Sequence, residues 1–160
     1  MANNAIQIFD GTPTEVIAQT ANVADTEIVG GDAVFNNTTD LWPLGMATLF
    51  VTGFATDPSG GTVDLYLMKG DVGSGAENED AGGIAYATNL TTTDNETQTE
   101  GLHYVGSYSF DVDTGNQRRA INVSLMGVKE AYFYIKNNTG VALTQPVTVD
   151  VEGFTFTPSA

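Results

Sequence analysis

The sequence predicts an all-β protein: an antiparallel β-sandwich, jelly-roll-like, with about eight or nine strands. Helical periodicity is nearly absent along the 160 residues. Apolar and polar residues instead alternate in short segments, and Gly, Pro, Asn or Asp separates these segments about every ten residues. Because most segments are apolar on one face only, two sheets packed face to face are the economical way to bury the apolar faces.

The first half of the chain contains four predicted strands and one ambiguous segment. Ile6 and Ile8 alternate in a short strand that ends at Asp10–Pro13, and residues 15–25 are compatible with a strand, an extended arm or one helical turn. The other strands of this half are Glu27–Asn36, Met46–Thr56 and Thr62–Met68. Gly30-Gly31 predicts a bulge in the first of these three. Because only the turn Asp57–Gly61 separates the last two, we expect them to form a hairpin.

The second half contains five predicted strands. Two polar segments, the acidic, glycine-rich Lys69–Gly83 and the apolar-free Thr91–Gly101, are predicted loops. The consecutive aromatics Tyr132, Phe133 and Tyr134 predict a strand covered on both faces, either central in its sheet or at an interface. The five strands are Ile84–Leu90, Leu102–Val112, Arg118–Met126, Glu130–Lys136 and Val147–Phe156, with a possible bulge at Gly153.

The length predicts a single domain. We divide the chain into residues 1–25, an N-terminal arm or short edge strand, and residues 26–160, one β-sandwich. An extended arm can add a strand to the open edge of a neighbouring molecule, where main-chain hydrogen bonds attach it.

Composition excludes several classes of function. Twenty acidic residues against five basic ones give a net charge of -15, which disfavours binding to nucleic acid or to a membrane. The absence of cysteine excludes disulfides and thiolate chemistry, and a single histidine excludes multi-histidine metal sites. No apolar run approaches the roughly 20 residues of a membrane-spanning helix, and the N-terminus lacks the basic and apolar regions of a secretory signal.

Six Asn-x-Ser/Thr motifs are interpreted as chance matches in a chain rich in Asn and Thr, because no signal for export is visible. They begin at Asn36, Asn37, Asn89, Asn95, Asn122 and Asn137.

Two features are weak candidates for chemistry. His103 is the only imidazole, and the strand pattern around it favours an ordinary strand histidine over a catalytic group. Asp71, Glu77, Glu79 and Asp80 lie in the glycine-rich loop, which is a solvated loop, a Ca²⁺ site or, least favoured, an acid/base pair. The loop lacks the ligand spacing of an EF-hand. No other cofactor is expected.

Several residues are candidates for an interface. Trp42, the only tryptophan, is interpreted as a lid on the core, an interface anchor or a sugar-stacking platform. Arg118 and Arg119 point to opposite faces of a strand, where they offset local acidic groups or bind a carboxylate of a neighbouring subunit. Asp111 and Asp113 are favoured as turn residues over paired catalytic carboxylates. Further candidates in the arm are Ile6, Ile8 and Phe9.

Three segments together resemble small structural proteins of tailed bacteriophages, particularly head decoration (cement) proteins and minor virion proteins. The first segment, Gly61–Asp71, contains the strand V-D-L-Y-L. The second, Glu130–Leu143, is an aromatic strand that ends in N-N-T-G, and the third, Val147–Pro158, is the last strand. Carbohydrate-binding jelly rolls share part of this pattern, and the first 40 residues do not contribute to it.

The resemblance implies a non-enzymatic β-sandwich that binds the major capsid protein and copies of itself, with a homotrimer as the expected oligomer. Its expected location is the outer surface of a virion capsid, where a strongly acidic chain avoids repulsion from packaged DNA. The alternative is a carbohydrate- or receptor-binding module, as on a tail fibre or spike, with Trp42 or Tyr132 as the exposed aromatic.

Overall fold

The computed structural model describes residues 6–58, 60–70, 90–93, 102–110 and 114–158. These residues contain ten β-strands and no helix, and thus no helix that could span a membrane. The strands are β1 (Ile6–Asp10), β2 (Thr14–Gln19), β3 (Glu27–Asn36), β4 (Leu44–Phe54), β5 (Thr62–Gly70), β6 (Leu90–Thr93), β7 (His103–Ser109), β8 (Gln117–Ser124), β9 (Glu130–Asn138) and β10 (Leu143–Pro158).

The described strands form two antiparallel five-stranded sheets, which confirms the predicted sandwich. Sheet A has the order β1-β10-β4-β8, and sheet B has the order β6-β3-β9-β5-β7. In sheet A, β2 also pairs with β10: β1 lies opposite Phe154–Pro158 and β2 opposite Val147–Val151. β1 and β2 are therefore two parts of one edge strand, interrupted at residues 11–13, and the ten segments fill nine strand positions.

Most connections cross from one sheet to the other, as in a jelly roll, whereas β1 and β2 stay in sheet A and β5, β6 and β7 stay in sheet B. β2, β4, β8 and β10 lie in sheet A, whereas β3, β5 and β9 lie in sheet B together with β6 and β7. The expected β4–β5 hairpin is therefore wrong. β4 pairs with β8 and β10, and β5 pairs with β7 and β9. The chain after β4 passes to the opposite sheet, where the apolar face of β5 packs across the core from that of β4.

The main core lies between the two sheets. It includes Phe54 and Phe110, whose rings pack edge to face with their centroids 5.1 Å apart. Val16 and Ile17 of β2 are fully buried in it, so this part of the N-terminal segment belongs to the sandwich. The inner faces of β4, β5, β9 and β10 supply half of the rest, namely Ala47, Leu49, Val51, Val63, Leu65, Phe133, Ile135, Val147, Val149 and Val151.

A second apolar cluster lies on the other face of sheet B. Its buried members are Ile28, Met68, Leu102 and Tyr134, with Tyr66 and Tyr132 packed against them. Since Phe133 points into the main core, β9 is covered on both faces, and it is the central strand of its sheet. The aromatic pattern of this strand predicted that position, one of the two that the sequence left open.

Glycine positions divide into a bulge and a close approach. Gly30 and Gly31 have φ angles of 141° and 76°, and the register of β3 with β9 shifts between Gly30 and Val34, which confirms the predicted bulge. The bulge expected at Gly153 is wrong, because Glu152, Gly153 and Phe154 pair with β4 without a shift. A Cβ at Gly153 would lie 2.3 Å from Cδ1 of Trp42, so this glycine makes room for the indole.

One predicted loop boundary also changes. Thr91–Thr93 lie in β6, which pairs with β3 along Glu27–Gly30. Their lack of apolar side chains suggested a solvated loop, yet a short edge strand needs only one neighbour and its main-chain hydrogen bonds.

Candidate functional site

Two loops meet at one end of the sandwich because the strands that they connect are neighbours. Residues 37–43 join β3 to β4, and residues 125–129 join β8 to β9. Asn36 pairs with Glu130, and Leu44 pairs with Ser124, so the two loops run side by side from one sheet to the other. We call the surface formed by residues 37–43, residues 125–129 and the adjacent ends of β5 and β7 the loop end.

Asn37 connects the two loops through a buried side chain, 1% exposed. Its amide nitrogen donates to the carbonyl oxygens of Trp42 at 2.9 Å and Val128 at 3.0 Å. Its amide oxygen accepts from the backbone N–H of Trp42 at 2.7 Å, and its own backbone N–H donates to the carbonyl of Lys129 at 2.7 Å. One residue therefore satisfies backbone groups from both loops and holds them in a single arrangement.

Trp42 closes the core at this end. Its half-buried indole packs against the main core cluster and lies over Gly153, where a Cβ would clash with the ring, and beside Gly11, where a Cβ would be a tight contact. This placement agrees with the interpretation of Trp42 as a lid. A role as an interface anchor stays a prediction.

The loop end presents large apolar side chains to water. Leu41 is 62% exposed and Met126 is 72% exposed, and both line a surface depression of about 320 Å³ together with Pro43 and Lys129. Leu41 has a φ of 52°, in the left-handed region that a branched side chain rarely occupies. A strained backbone and an exposed apolar side chain both cost free energy in the isolated protein, and such features concentrate at binding sites.

A second depression, of about 410 Å³, continues the same surface on the other side of Met126. It is lined by Lys69, His103 and Tyr104, among others. Tyr104 is 60% exposed, yet its hydroxyl is within 2.7 Å of the Ser107 hydroxyl and its ring meets that of Tyr66 edge-on at 5.8 Å. His103 is exposed at the start of β7, and its interpretation as an ordinary strand histidine stays a prediction.

The predicted arginine pair lies away from the loop end, on edge strand β8. Arg118 is exposed on the outer face of sheet A, with its guanidinium 5.7 Å from the Phe50 ring centroid. Arg119 lies over the ring of Phe110 at 5.9 Å and donates to the carbonyl of Ser109. The alternation prediction of opposite faces is therefore confirmed. Both arginines have local contacts, and their role at a subunit interface stays a prediction.

The outer face of sheet A carries a third depression, of about 410 Å³. Arg118 lies on one side of it, and the carboxylates of Asp150 and Glu152 lie on β10. Met46, 38% exposed, contributes an apolar surface between them. This face therefore places positively and negatively charged hydrogen-bonding groups around a shallow depression.

Other predicted residues are separate from these surfaces or outside the described part. Ile6, Ile8 and Phe9 lie on β1, whose backbone pairs with β10 of the same chain. The Ca²⁺ candidates Asp71, Glu77, Glu79 and Asp80, and the pair Asp111 and Asp113, lie outside the described residues. Within the described ranges, no group of three or more His, Asp or Glu side chains is arranged to hold a metal ion.

The opposite end of the sandwich has an equivalent buried amide, Asn137, with 0% exposure. Its side chain donates to the carbonyls of Val23, Ala24 and Val141 at 2.7–3.1 Å. Its oxygen accepts from the backbone N–H and the hydroxyl of Thr139. Asn36 accepts from the same two groups of Thr38. Three Asn-x-Thr motifs are thus involved in loop structure, and Asn37 and Asn137 are buried.

Sequence reasoning missed Asn37, Leu41 and Met126. The repeated N-N-T at residues 36–38 and 137–139 signals hydrogen-bonded turns, but these turns are made by Asn36 and Asn137, so the pattern does not single out Asn37. Nothing in the sequence indicated that Asn37 reaches Val128, 91 residues away.

Together, the described strands and loops form a jelly-roll sandwich with a hydrogen-bonded, partly apolar surface at one end. No protein-family model matches the chain, and no curated protein matches it. Among solved structures, the chain is similar to a recombinantly expressed latent aurone synthase (polyphenol oxidase), with 9% identity and a TM-score of 0.30. The match covers 99% of this chain and 25% of that chain, and similarity at this level carries no functional argument.

Proposed function

We propose that this chain is a structural protein of a virion, which decorates and stabilises a phage capsid by binding the major capsid protein and neighbouring copies of itself. The observation that carries the proposal is the loop end, where Leu41 and Met126 are held in water on loops that Asn37 connects. The resemblance of three strand-and-turn segments to phage decoration proteins supplies the class of assembly.

The geometry of the loop end suits attachment to another protein. Binding is strengthened when an interface is already ordered, because little conformational entropy is then lost. Apolar side chains at the centre of such a surface provide the favourable burial. The net charge of -15 suits the outside of a DNA-filled head, since the packaged DNA repels an acidic protein.

The test is the content of purified phage particles. We expect mass spectrometry to find the chain in regular stoichiometry with the major capsid protein, and particles lacking it to rupture at lower temperature. Its absence from intact particles would reject the proposal, as would particles without it that are equally resistant to heat.

The second candidate function is carbohydrate or receptor binding, supported by the depression on the outer face of sheet A. Arg118, Asp150 and Glu152 offer donors and acceptors there. Trp42 and Tyr132, the aromatics first considered for sugar stacking, instead pack on apolar clusters. A glycan array is the test: specific hits that are lost in Glu152→Gln support this candidate, and no hits reject it.

A further inference from the structure

We infer that the loop end is the surface on which a second copy of this chain docks. The inference rests on the proposed self-association, and it assigns that contact to Leu41, Met126 and Tyr104 with the bordering Lys69 and Lys129. None of the interface candidates identified from the sequence belongs to this set.

The apolar part of the argument is the distribution of exposed side chains. Among the side chains whose burial the structure describes, five large apolar ones are exposed, and three of them, Leu41, Tyr104 and Met126, lie at the loop end. Met126 lines both depressions, so the surface is continuous from Leu41 to Tyr104. The other two, Met46 and Phe156, lie on sheet A.

The distribution of charge on the chain favours a second copy as the molecule that docks on the loop end. The chain has only five lysines and arginines against 20 acidic residues, and Lys69 and Lys129 are both exposed at the loop end. Two copies with a net charge of -15 each repel one another across most orientations. The loop end holds Lys69 and Lys129 beside Asp40, so it is less acidic than the chain as a whole, and two copies meet there with less repulsion. The acidic side chains of a second copy complement the two lysines, which are too few for a phosphate backbone.

The hydrogen bonds of the loops favour this contact over one made by a flexible segment. Asn37 fixes residues 37–43 against residues 125–129, and the backbone N–H of Leu125 donates to the carbonyl of Pro43 at 3.0 Å. Tyr104 is held by Ser107 and Tyr66. Docking therefore orders few additional groups, so most of the apolar burial contributes to affinity.

The experiment is sedimentation velocity of the full chain at about 0.1 M salt, chosen for its Debye length of about 10 Å. We expect wild-type protein to sediment as a multiple of 16.8 kDa. Met126→Asp places a carboxylate at the centre of the surface, and we expect at least a tenfold rise in the dissociation constant. Lys129→Glu is expected to shift it in the same direction.

The matched control is Met46→Asp, the same substitution on the outer face of sheet A, which we expect to leave the oligomer intact. Circular dichroism and thermal melts check that Met126→Asp folds, as its 72% exposure leads us to expect. A wild-type monomer at every concentration overturns the inference. So does disruption by Met46→Asp together with an unaffected Met126→Asp variant.

Failure of this inference is distinguishable from failure of the proposed function. Wild-type protein that is monomeric in solution yet stoichiometric in particles overturns the docking surface and leaves the decoration role standing. Wild-type protein that associates through Met126 but is absent from particles supports the docking surface and rejects the decoration role.

Discussion

Asn37 and Asn137 are single buried amides that hydrogen-bond the loops at the two ends of the sandwich. An asparagine side chain offers two donors and one acceptor oxygen, so it substitutes for backbone partners where loops leave the sheets. Asn37 satisfies groups of Trp42 and Val128, and Asn137 satisfies groups of Val23, Ala24 and Val141. At both sites a short polar side chain replaces the hydrogen bonds that a sheet would have provided.

Replacing Asn37 by alanine should destabilise the protein by about 2–3 kcal/mol, because it leaves buried backbone groups of Trp42 and Val128 without partners. Urea denaturation measures the loss. The control is Asn36→Ala at the exposed neighbour, expected to cost less than about 1 kcal/mol. Equal losses for the two variants would contradict the structural role of Asn37.

Tyr108 connects the two sheets and makes stability sensitive to alkali. Its buried hydroxyl donates to the carbonyl of Ala47 at 3.2 Å, and burial raises the pKa of Tyr108 well above its ordinary value of about 10. Above that ordinary value the unfolded chain releases the phenolic proton, whereas the folded chain retains it. The unfolded state then binds fewer protons, so this contribution to stability is present below about pH 10 and is lost as the pH rises.

We expect the free energy of unfolding to fall less steeply above about pH 10 in Tyr108→Phe than in wild-type protein. Denaturant titrations between about pH 9 and pH 11 measure the two slopes. Tyr104→Phe, at a 60% exposed tyrosine, controls for loss of a phenol elsewhere on the protein. Parallel slopes for wild-type and Tyr108→Phe protein would show that this phenol does not determine the alkaline limit.

At the scale of elements, the position of β2 shows that the N-terminal segment is part of the sandwich. Residues 6–10 and 14–19 both pair with β10, and β2 contributes two fully buried side chains, Val16 and Ile17, to the core. An edge strand that supplies core residues is part of the folding unit, whereas an arm that reaches a neighbour is dispensable for folding.

Deleting residues 1–25 should therefore abolish cooperative unfolding, because it uncovers the edge of β10 at Val147 and Val149 and removes three core side chains, Val16, Ile17 and Val23. Deleting residues 1–10 removes only β1, and we expect a less stable but still cooperative domain. Calorimetry distinguishes the two results. A cooperative transition in the longer deletion would show that β2 is not required for the core.

At the scale of the whole molecule, charge opposes assembly. Each copy has a net charge of -15, and the Debye length falls from about 30 Å at 0.01 M salt to about 10 Å at 0.1 M. We therefore expect self-association to strengthen over this range, as measured by light scattering at constant protein concentration. Association that weakens instead would mean that the ion pairs of Lys69 and Lys129 outweigh the long-range repulsion.

The sequence by itself determined most of the strands, although it left residues 15–25 open and predicted a loop at Thr91–Thr93. Alternation places side chains on opposite faces with a period of two, so Glu27–Asn36, the Gly30-Gly31 bulge and the doubly covered β9 were all predicted from local pattern. Net charge and the two-sheet class likewise follow from composition and periodicity, because neither depends on which strands become neighbours.

Tertiary structure alone decided the partners of those strands and the residues that meet at the loop end. A turn such as Asp57–Gly61 looks the same whether the next strand pairs alongside or crosses to the other sheet, and here β5 crosses. Asn37 and Val128 are 91 residues apart, and no local signal records their hydrogen bond. Local sequence sets the direction of each side chain, but the burial of both sheets against each other selects the pairing, and that selection depends on the whole chain at once.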